Sequence, residues 1–117
     1  MTIPDSVVSI GDYAFYDCTG FSGDLNIGDG VVEIGERAFE SSGFTGSLNI
    51  GSSVSTIGWG AFEYAKFTGS LTIPNSVTYI DAHAFWGCSS LTSLAIPDSV
   101  TEIFNEAFAY CSGLTSA

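Results

Sequence analysis

The sequence predicts a repeat solenoid of five coils, each about 23–24 residues long, as a single domain over residues 1–117. Two recurrences and one length argument carry this. Ile-Pro or Ile-Gly pairs begin at Ile3, Ile27, Ile50, Ile73 and Ile96, a first step of twenty-four positions followed by three steps of twenty-three. An Ala-Phe pair recurs in the same register, at Ala14-Phe15, Ala38-Phe39, Ala61-Phe62, Ala84-Phe85 and Ala107-Phe108. A period in the low twenties is too short for a helical-hairpin repeat and suits one turn of a solenoid. The expected units are 3–26, 27–49, 50–72, 73–95 and 96–117.

Each element of the unit follows in order. Leu48-Asn49-Ile50 and Leu71-Thr72-Ile73 alternate in and out, as a short strand with its apolar side chains on one face does. Pro or Gly then turns the chain. A valine column (Val7, Val31, Val54, Val77, Val100) and an isoleucine column three residues later (Ile10, Ile34, Ile57, Ile80, Ile103) mark a second extended piece. Ala-Phe follows at a corner, expected to be a tight turn or a single helical turn. The one-residue differences in period fall after Ala-Phe: Phe62 to Phe67 is five residues, Phe85 to Leu91 six. Such slack belongs to a surface loop and leaves the strand register intact.

The expected core is these columns together with Leu25, Leu48, Leu71 and Leu94, and with Phe21, Phe44, Phe67, Leu91 and Leu114. One coil cannot stand alone. About six large side chains, each contributing roughly 1.5–3 kcal/mol on burial, are outweighed by a backbone entropy cost of about 1–2 kcal/mol per residue. Stability must come from neighbouring coils.

Residues 71–103, LTIPNSVTYIDAHAFWGCSSLTSLAIPDSVTEI, resemble the BspA-like leucine-rich repeat family. The shared pattern is Leu-x-x-Leu-x-Ile-Pro, then Ser-Val-x-x-Ile-Gly, then Ala-Phe-x-x-Cys, and the resemblance extends over all five units. Departures are Gly28 and Gly51 at the turn proline, Asp81 and Phe104 at the glycine of Gly11, Gly35 and Gly58, and Phe21, Phe44 and Phe67 at a usual leucine. The resemblance implies a right-handed leucine-rich repeat solenoid with a parallel β-sheet of short strands on its concave side. It also implies a surface or secreted protein that adheres to a protein or glycan on a host or neighbouring cell. The motif encodes no binding residue.

Composition narrows the chemistry. Thirteen acids against two bases, Arg37 and Lys66, give a net charge of −11. Nucleic-acid phosphate and anionic membrane surfaces are poor partners for such a chain. No apolar run approaches the roughly 20 residues of a membrane span, and MTIPDSVVSIGD has neither the basic nor the apolar region of a signal peptide. No cofactor or metal is expected. His83 is the single histidine and the cysteines form no CxxC pair, so zinc lacks a ligand set. A Ser-His-Asp arrangement is not marked either, and the chain reads as no enzyme. His83 itself reads as a surface-corner residue without a role.

Cys18, Cys88 and Cys111 share a column with Ser42 and Ala65, which suggests buried thiols packing as small apolar groups. Cys88 and Cys111, one coil apart, are also within disulfide reach. The carboxylates show no EF-hand or nonapeptide spacing and read as solvated charge that keeps an apolar solenoid soluble. The strand face carrying Asp24, Asn26, Ser47, Asn49, Ser70, Thr72, Ser93 and Ala95 is small and polar, a poor anchor set.

Six aromatic residues flank the Ala-Phe corner: Tyr13, Tyr16, Trp59, Tyr64, Trp86 and Tyr110. Residues beside one corner in successive coils fall on one flank, and exposed aromatics are enriched in binding hot spots. They are the candidate binding residues. The competing expectation is that the rings lie on neighbouring coils and fill the corners. Neither end of the sequence shows a polar cap, which makes head-to-tail homo-association into a scaffold or fibre the alternative function.

Overall fold

A computed structural model describes residues 1–115 and shows a parallel-sheet solenoid, about 35 × 33 × 20 Å. Ten short strands alternate between two ladders. The Leu-x-Ile segments supply β1 (Thr2–Ile3), β3 (Leu25–Ile27), β5 (Leu48–Asn49), β7 (Gly69–Thr72) and β9 (Leu91–Ala95). They form a three-stranded sheet, β1-β3-β5, and a two-stranded one, β7-β9. The Val-x-x-Ile segments supply β2 (Ser9–Ile10), β4 (Glu33–Ile34), β6 (Thr56–Ile57), β8 (Tyr79–Ile80) and β10 (Glu102–Ile103). These two-residue strands make the unbroken five-stranded parallel sheet, with Ile10, Ile34, Ile57, Ile80 and Ile103 paired in succession. The single sheet expected from the sequence is therefore two ladders, and the more continuous one is built from the second extended piece.

The slack after Ala-Phe is absorbed where it was expected. Ser70 pairs with Ser93 and Leu71 with Leu94, but Gly69 pairs with Leu91, with an irregularity between Gly69 and Ser70. The additional residue between Phe85 and Leu91 is taken up there, and the register of the leucines survives.

No corner is helical; each is a run of tight turns, and the backbone shows why. In the first corner the amides of Ala14, Tyr16 and Cys18 bond back three residues, to Gly11, Tyr13 and Phe15. The intervening amides of Tyr13, Phe15 and Asp17 instead donate to Glu36, Ala38 and Glu40 of the next coil, at 2.7–2.8 Å. A helix would direct every amide along its own axis. Here two residues per corner adopt positive φ. They are Tyr13, Arg37, Gly60, His83 and Glu106 before Ala-Phe, and Asp17, Ser41, Tyr64, Gly87 and Tyr110 after it. Only two of these ten are glycine, although the left-handed region costs other residues about 1–2 kcal/mol.

The interior is a row of stacked rings. Phe15, Phe39, Phe62, Phe85 and Phe108 follow one another at centroid separations of 5.1–5.4 Å, nearly parallel. A second row, Phe21, Phe44 and Phe67, runs beside it, and Phe15, Phe39 and Phe62 each meet their second-row partner edge-on. Phe39, Phe62 and Phe85 are fully buried. Members of the columns in the outermost coils are less covered: Ile96 and Ile103 are exposed, and Phe15, Phe108 and Leu114 are partly buried. Beside the first coil an apolar cleft of about 360 Å³ opens between Ile3, Val7, Ile10 and Phe15.

The cysteine column is interior as expected. Cys88 and Cys111 are buried free thiols whose Sγ–H groups donate to the carbonyls of Phe62 and Phe85, at 3.1 and 3.2 Å. The Cys111 thiol beside it and burial hold Cys88 well above the ordinary thiol pKa, which makes it a weak nucleophile. The acids depart from expectation. Asp5, Asp12, Asp24 and Asp29 each accept a backbone amide of the following coil, from Asp29, Glu36, Ser47 and Ser52 at 2.8–3.0 Å. Part of the negative charge is thus structural and ties coil to coil.

Phe62→Ala removes a ring stacked on both sides. It should cost about 3–5 kcal/mol of stability. Phe108→Ala, at a partly buried position, should cost less than half as much. Urea denaturation of both variants measures the difference.

Candidate functional site

The corner flank carries the six candidate aromatics, and the structure sorts them into two groups. Tyr13 and Tyr16 meet edge-on at 5.4 Å on the first coil. Trp59, Tyr64, Trp86 and Tyr110 belong to one continuous strip, joined by a residue that sequence reasoning set aside. His83 stacks on Trp59 at 4.8 Å and lies parallel to Trp86 at 5.9 Å. Trp86 in turn meets Tyr64 edge-on at 4.9 Å and Tyr110 at 4.8 Å.

The other face of Trp59 is covered by Arg37, whose guanidinium carbon lies 4.6 Å from the ring centroid. The indole is therefore held between a cation of the preceding coil and the imidazole of the following one. Arg37, Gly60 and His83 occupy one column, and Gly60 sits at φ +61°. A Cβ on Gly60 would lie 2.9 Å from Oε2 of Glu63 and 3.3 Å from Cγ of Arg37. The space a side chain would take at Gly60 is held instead by the Glu63 carboxylate and the Arg37 stem. A glycine between arginine and histidine, each one repeat away, was the sequence signal for this arrangement.

Beneath the rings lie two acids that sequence reasoning also missed. Glu40 and Glu63, one coil apart, are each only 8% exposed. Arg37 Nε is 3.5 Å from Oε2 of Glu40. His83 faces Oε1 of Glu63 at 3.8 Å through Nδ1 and Oε2 of Glu106 at 3.5 Å through Nε2. Burial pushes the carboxyl of Glu40 above its ordinary pKa. Arg37 opposes this, and the negative charges of Glu63 and Asp17 add to it.

The exposure of the flank is unequal. Tyr13, Tyr16 and Tyr64 are between 44% and 49% exposed and Tyr110 is 71% exposed. Trp59 and Trp86 are half-buried. The tryptophans thus behave largely as corner-filling rings, and the tyrosines present their surface outward. Among the described residues no group of three or more His, Cys, Asp or Glu is placed to hold a metal ion.

With this geometry, comparison with known proteins is specific. The sequence matches the BspA type leucine rich repeat region, in six copies over residues 1–115. The chain belongs to the BspA-type leucine-rich repeat family. Its structure is similar to that of a leucine rich cell surface protein from Faecalibacterium prausnitzii A2-165, with a TM-score of 0.89 and 31% identity. That match covers 99% of this chain and 30% of the other. A leucine-rich repeat protein from Bacteroides ovatus ATCC 8483 gives a TM-score of 0.71 at 29% identity, over 97% of this chain and 35% of that one. The T. pallidum leucine rich repeat protein shares the fold at 21% identity, with a TM-score of 0.71 over 99% of this chain and 67% of that one. The chain thus spans about a third of two of these leucine-rich repeat proteins. No curated protein matches it.

Two outcomes follow from the flank. Trp86→Ala should lower stability by about 1.5–4.5 kcal/mol, because three aromatic contacts of roughly 0.5–1.5 kcal/mol each are lost. Tyr110→Ala gives up one of these three contacts and should lower stability by no more than about 1.5 kcal/mol; thermal melts followed by circular dichroism compare the two. The second concerns pH. A carboxyl whose pKa is raised in the folded state binds its proton more tightly there, so its contribution to stability falls as pH rises through the window above its ordinary pKa of 4.5. Glu40→Gln should remove that component. Urea midpoints measured from pH 4.5 upward should decline less steeply in Glu40→Gln than in the wild type.

Proposed function

We propose that the chain is a non-catalytic binding module of a surface or secreted repeat protein, and that it engages a protein partner through its corner flank. The observation that supports this most directly is the exposed tyrosines of the flank: Tyr64 and Tyr110, backed by the Trp59–His83–Trp86 stack through Trp86, with Tyr13 and Tyr16 as a separate pair on the first coil. Tyrosine offers a large contact area with little rotamer entropy to lose, and a rigid backing lowers the cost of ordering it on binding. A glycan is the weaker fit. Sugars pack on free aromatic faces, and both faces of Trp59 are already covered, by Arg37 and by His83.

The single histidine supports the non-catalytic reading in the same way. His83 stacks on Trp59, lies parallel to Trp86 and faces the carboxylates of Glu63 and Glu106, a setting that holds the ring in place within the strip. A surface or secreted location is supported by the family and by the F. prausnitzii cell surface protein. No helix among the described residues is long and apolar enough to cross a membrane. End-to-end stacking uses faces that an adjoining coil of a longer array would also cover, and the flank carries the proposal instead.

Beads coated with the chain should adhere to cultured epithelial cells. Tyr64→Ala/Tyr110→Ala beads should lose most of that adhesion while the variant, with two ring contacts to Trp86 removed, melts at a lower temperature but stays folded at the temperature of the assay. Protease treatment of the cells should abolish adhesion, and enzymatic deglycosylation should leave it. Equal adhesion of wild-type and variant beads would remove the flank as the binding surface.

A further inference from the structure

The outer side of the five-stranded ladder bears a groove of about 450 Å³. Its floor is the glycine column Gly11, Gly35 and Gly58. Side chains are excluded at two of these positions, since a Cβ on Gly35 would lie 2.7 Å from the Asp12 amide nitrogen and one on Gly58 2.8 Å from the Gly35 carbonyl carbon. Glu33 projects from β4 on one side, Asp12 and Glu36 stand on the other, and Asp81 lies at one end. Trp59 is among the lining residues.

The sequence departures close the groove. In the fourth and fifth coils the glycine is replaced by Asp81 and Phe104, and Phe104 leans on Tyr79 of β8 at 4.9 Å. The glycine-floored path therefore extends over three coils. At about 4.8 Å between neighbouring strands this offers roughly 10–15 Å, the length of about four residues of extended chain.

The lining selects the occupant. Four acidic residues line the groove, of which Asp12 and Asp81 each also accept a backbone amide, and neither Arg37 nor Lys66 lines it, on a chain of net charge −11. The carboxylates are spread along the path and are not gathered as a metal site. Spread negative charge over a side-chain-free floor suits a row of separate cations on an extended backbone. We propose that this groove takes an extended Lys- or Arg-bearing segment of a partner protein, lying across the first three coils against Trp59. The proposal rests on reading the chain as a protein-binding module, but it names a second surface and the partner's charge.

The test uses the whole chain, labelled with ¹⁵N, and a peptide of alternating lysine and serine. The peptide should bind at low salt and shift the Trp59 indole N–H resonance while that of Trp86 stays in place. Glu33→Gln/Glu36→Gln should weaken binding about tenfold, and Asp17→Asn/Asp98→Asn, an equal change of charge elsewhere, by less than about twofold. Unchanged melts of both double variants keep the comparison valid, and Asn is well accommodated at the positive φ of Asp17. Equal weakening by the two double variants would reduce the effect to diffuse attraction and overturn the proposal, as would absence of binding or a shift confined to Trp86. Epithelial adhesion that needs Tyr64 and Tyr110 but is unaffected by Glu33→Gln/Glu36→Gln would also overturn it, while leaving the flank reading standing.

Discussion

The structure depends on a backbone constraint at the corner. Every second amide must leave its own turn and reach the coil beside it, and each corner that does so carries one left-handed residue on either side of Ala-Phe. Eight non-glycine residues hold the left-handed conformation, at about 1–2 kcal/mol each. Cross-coil hydrogen bonds, at roughly 0.5–1.5 kcal/mol apiece, offset this only together with the phenylalanine rows they bring into register. The bonds and the rings are inseparable. The amide of Phe15, Phe39, Phe62 or Phe85 donates to the alanine that precedes the next ring, so one contact fixes the spacing that the other needs.

This constraint also explains where recognition chemistry sits. The left-handed positions turn their side chains out of the interior, and they hold Tyr13, Arg37, His83, Glu106, Asp17, Ser41, Tyr64 and Tyr110. The same geometry that builds the stack therefore sets a line of variable side chains along one flank. Strain of this kind persists where surrounding structure over-determines it. Here the overdetermination comes from the two neighbouring coils, which bond to the same segment from either side.

Much of the architecture was legible because the interior repeats. An apolar column at a fixed period leaves one arrangement in which like touches like, and Phe15 through Phe108 stack as the spacing requires. What escaped was everything that depends on two different residues meeting across coils. His83 looked idle because its partners stand in two other columns, Trp59 a full coil before it and Trp86 three residues after it. Glu40 and Glu63 looked like solvated charge because burial at a corner has no local pattern. Asp5, Asp12, Asp24 and Asp29 looked the same, yet each caps an amide of the following coil. The second ladder was underestimated for another reason: two-residue strands give too short an alternation to stand out beside Leu-x-Ile.

Irregularity within the repeat is therefore the more informative signal for function. Gly60 matters because Glu63 and Arg37 hold the space a side chain would take there, while Arg37 and His83 both pack on Trp59 beside it. Phe104 is an obstruction only because Gly11, Gly35 and Gly58 leave the path open before it. Trp59 belongs to both features, as the centre of the aromatic strip and as a wall of the acidic groove. Its loss would remove the ring on which Arg37 and His83 pack and a lining residue of the groove together. Tyr110 and Glu33 have no such shared duty. One is 71% exposed at the far end of the strip, the other projects from the outer face of β4. The two surfaces are thus physically linked at their common tryptophan and separable at their edges.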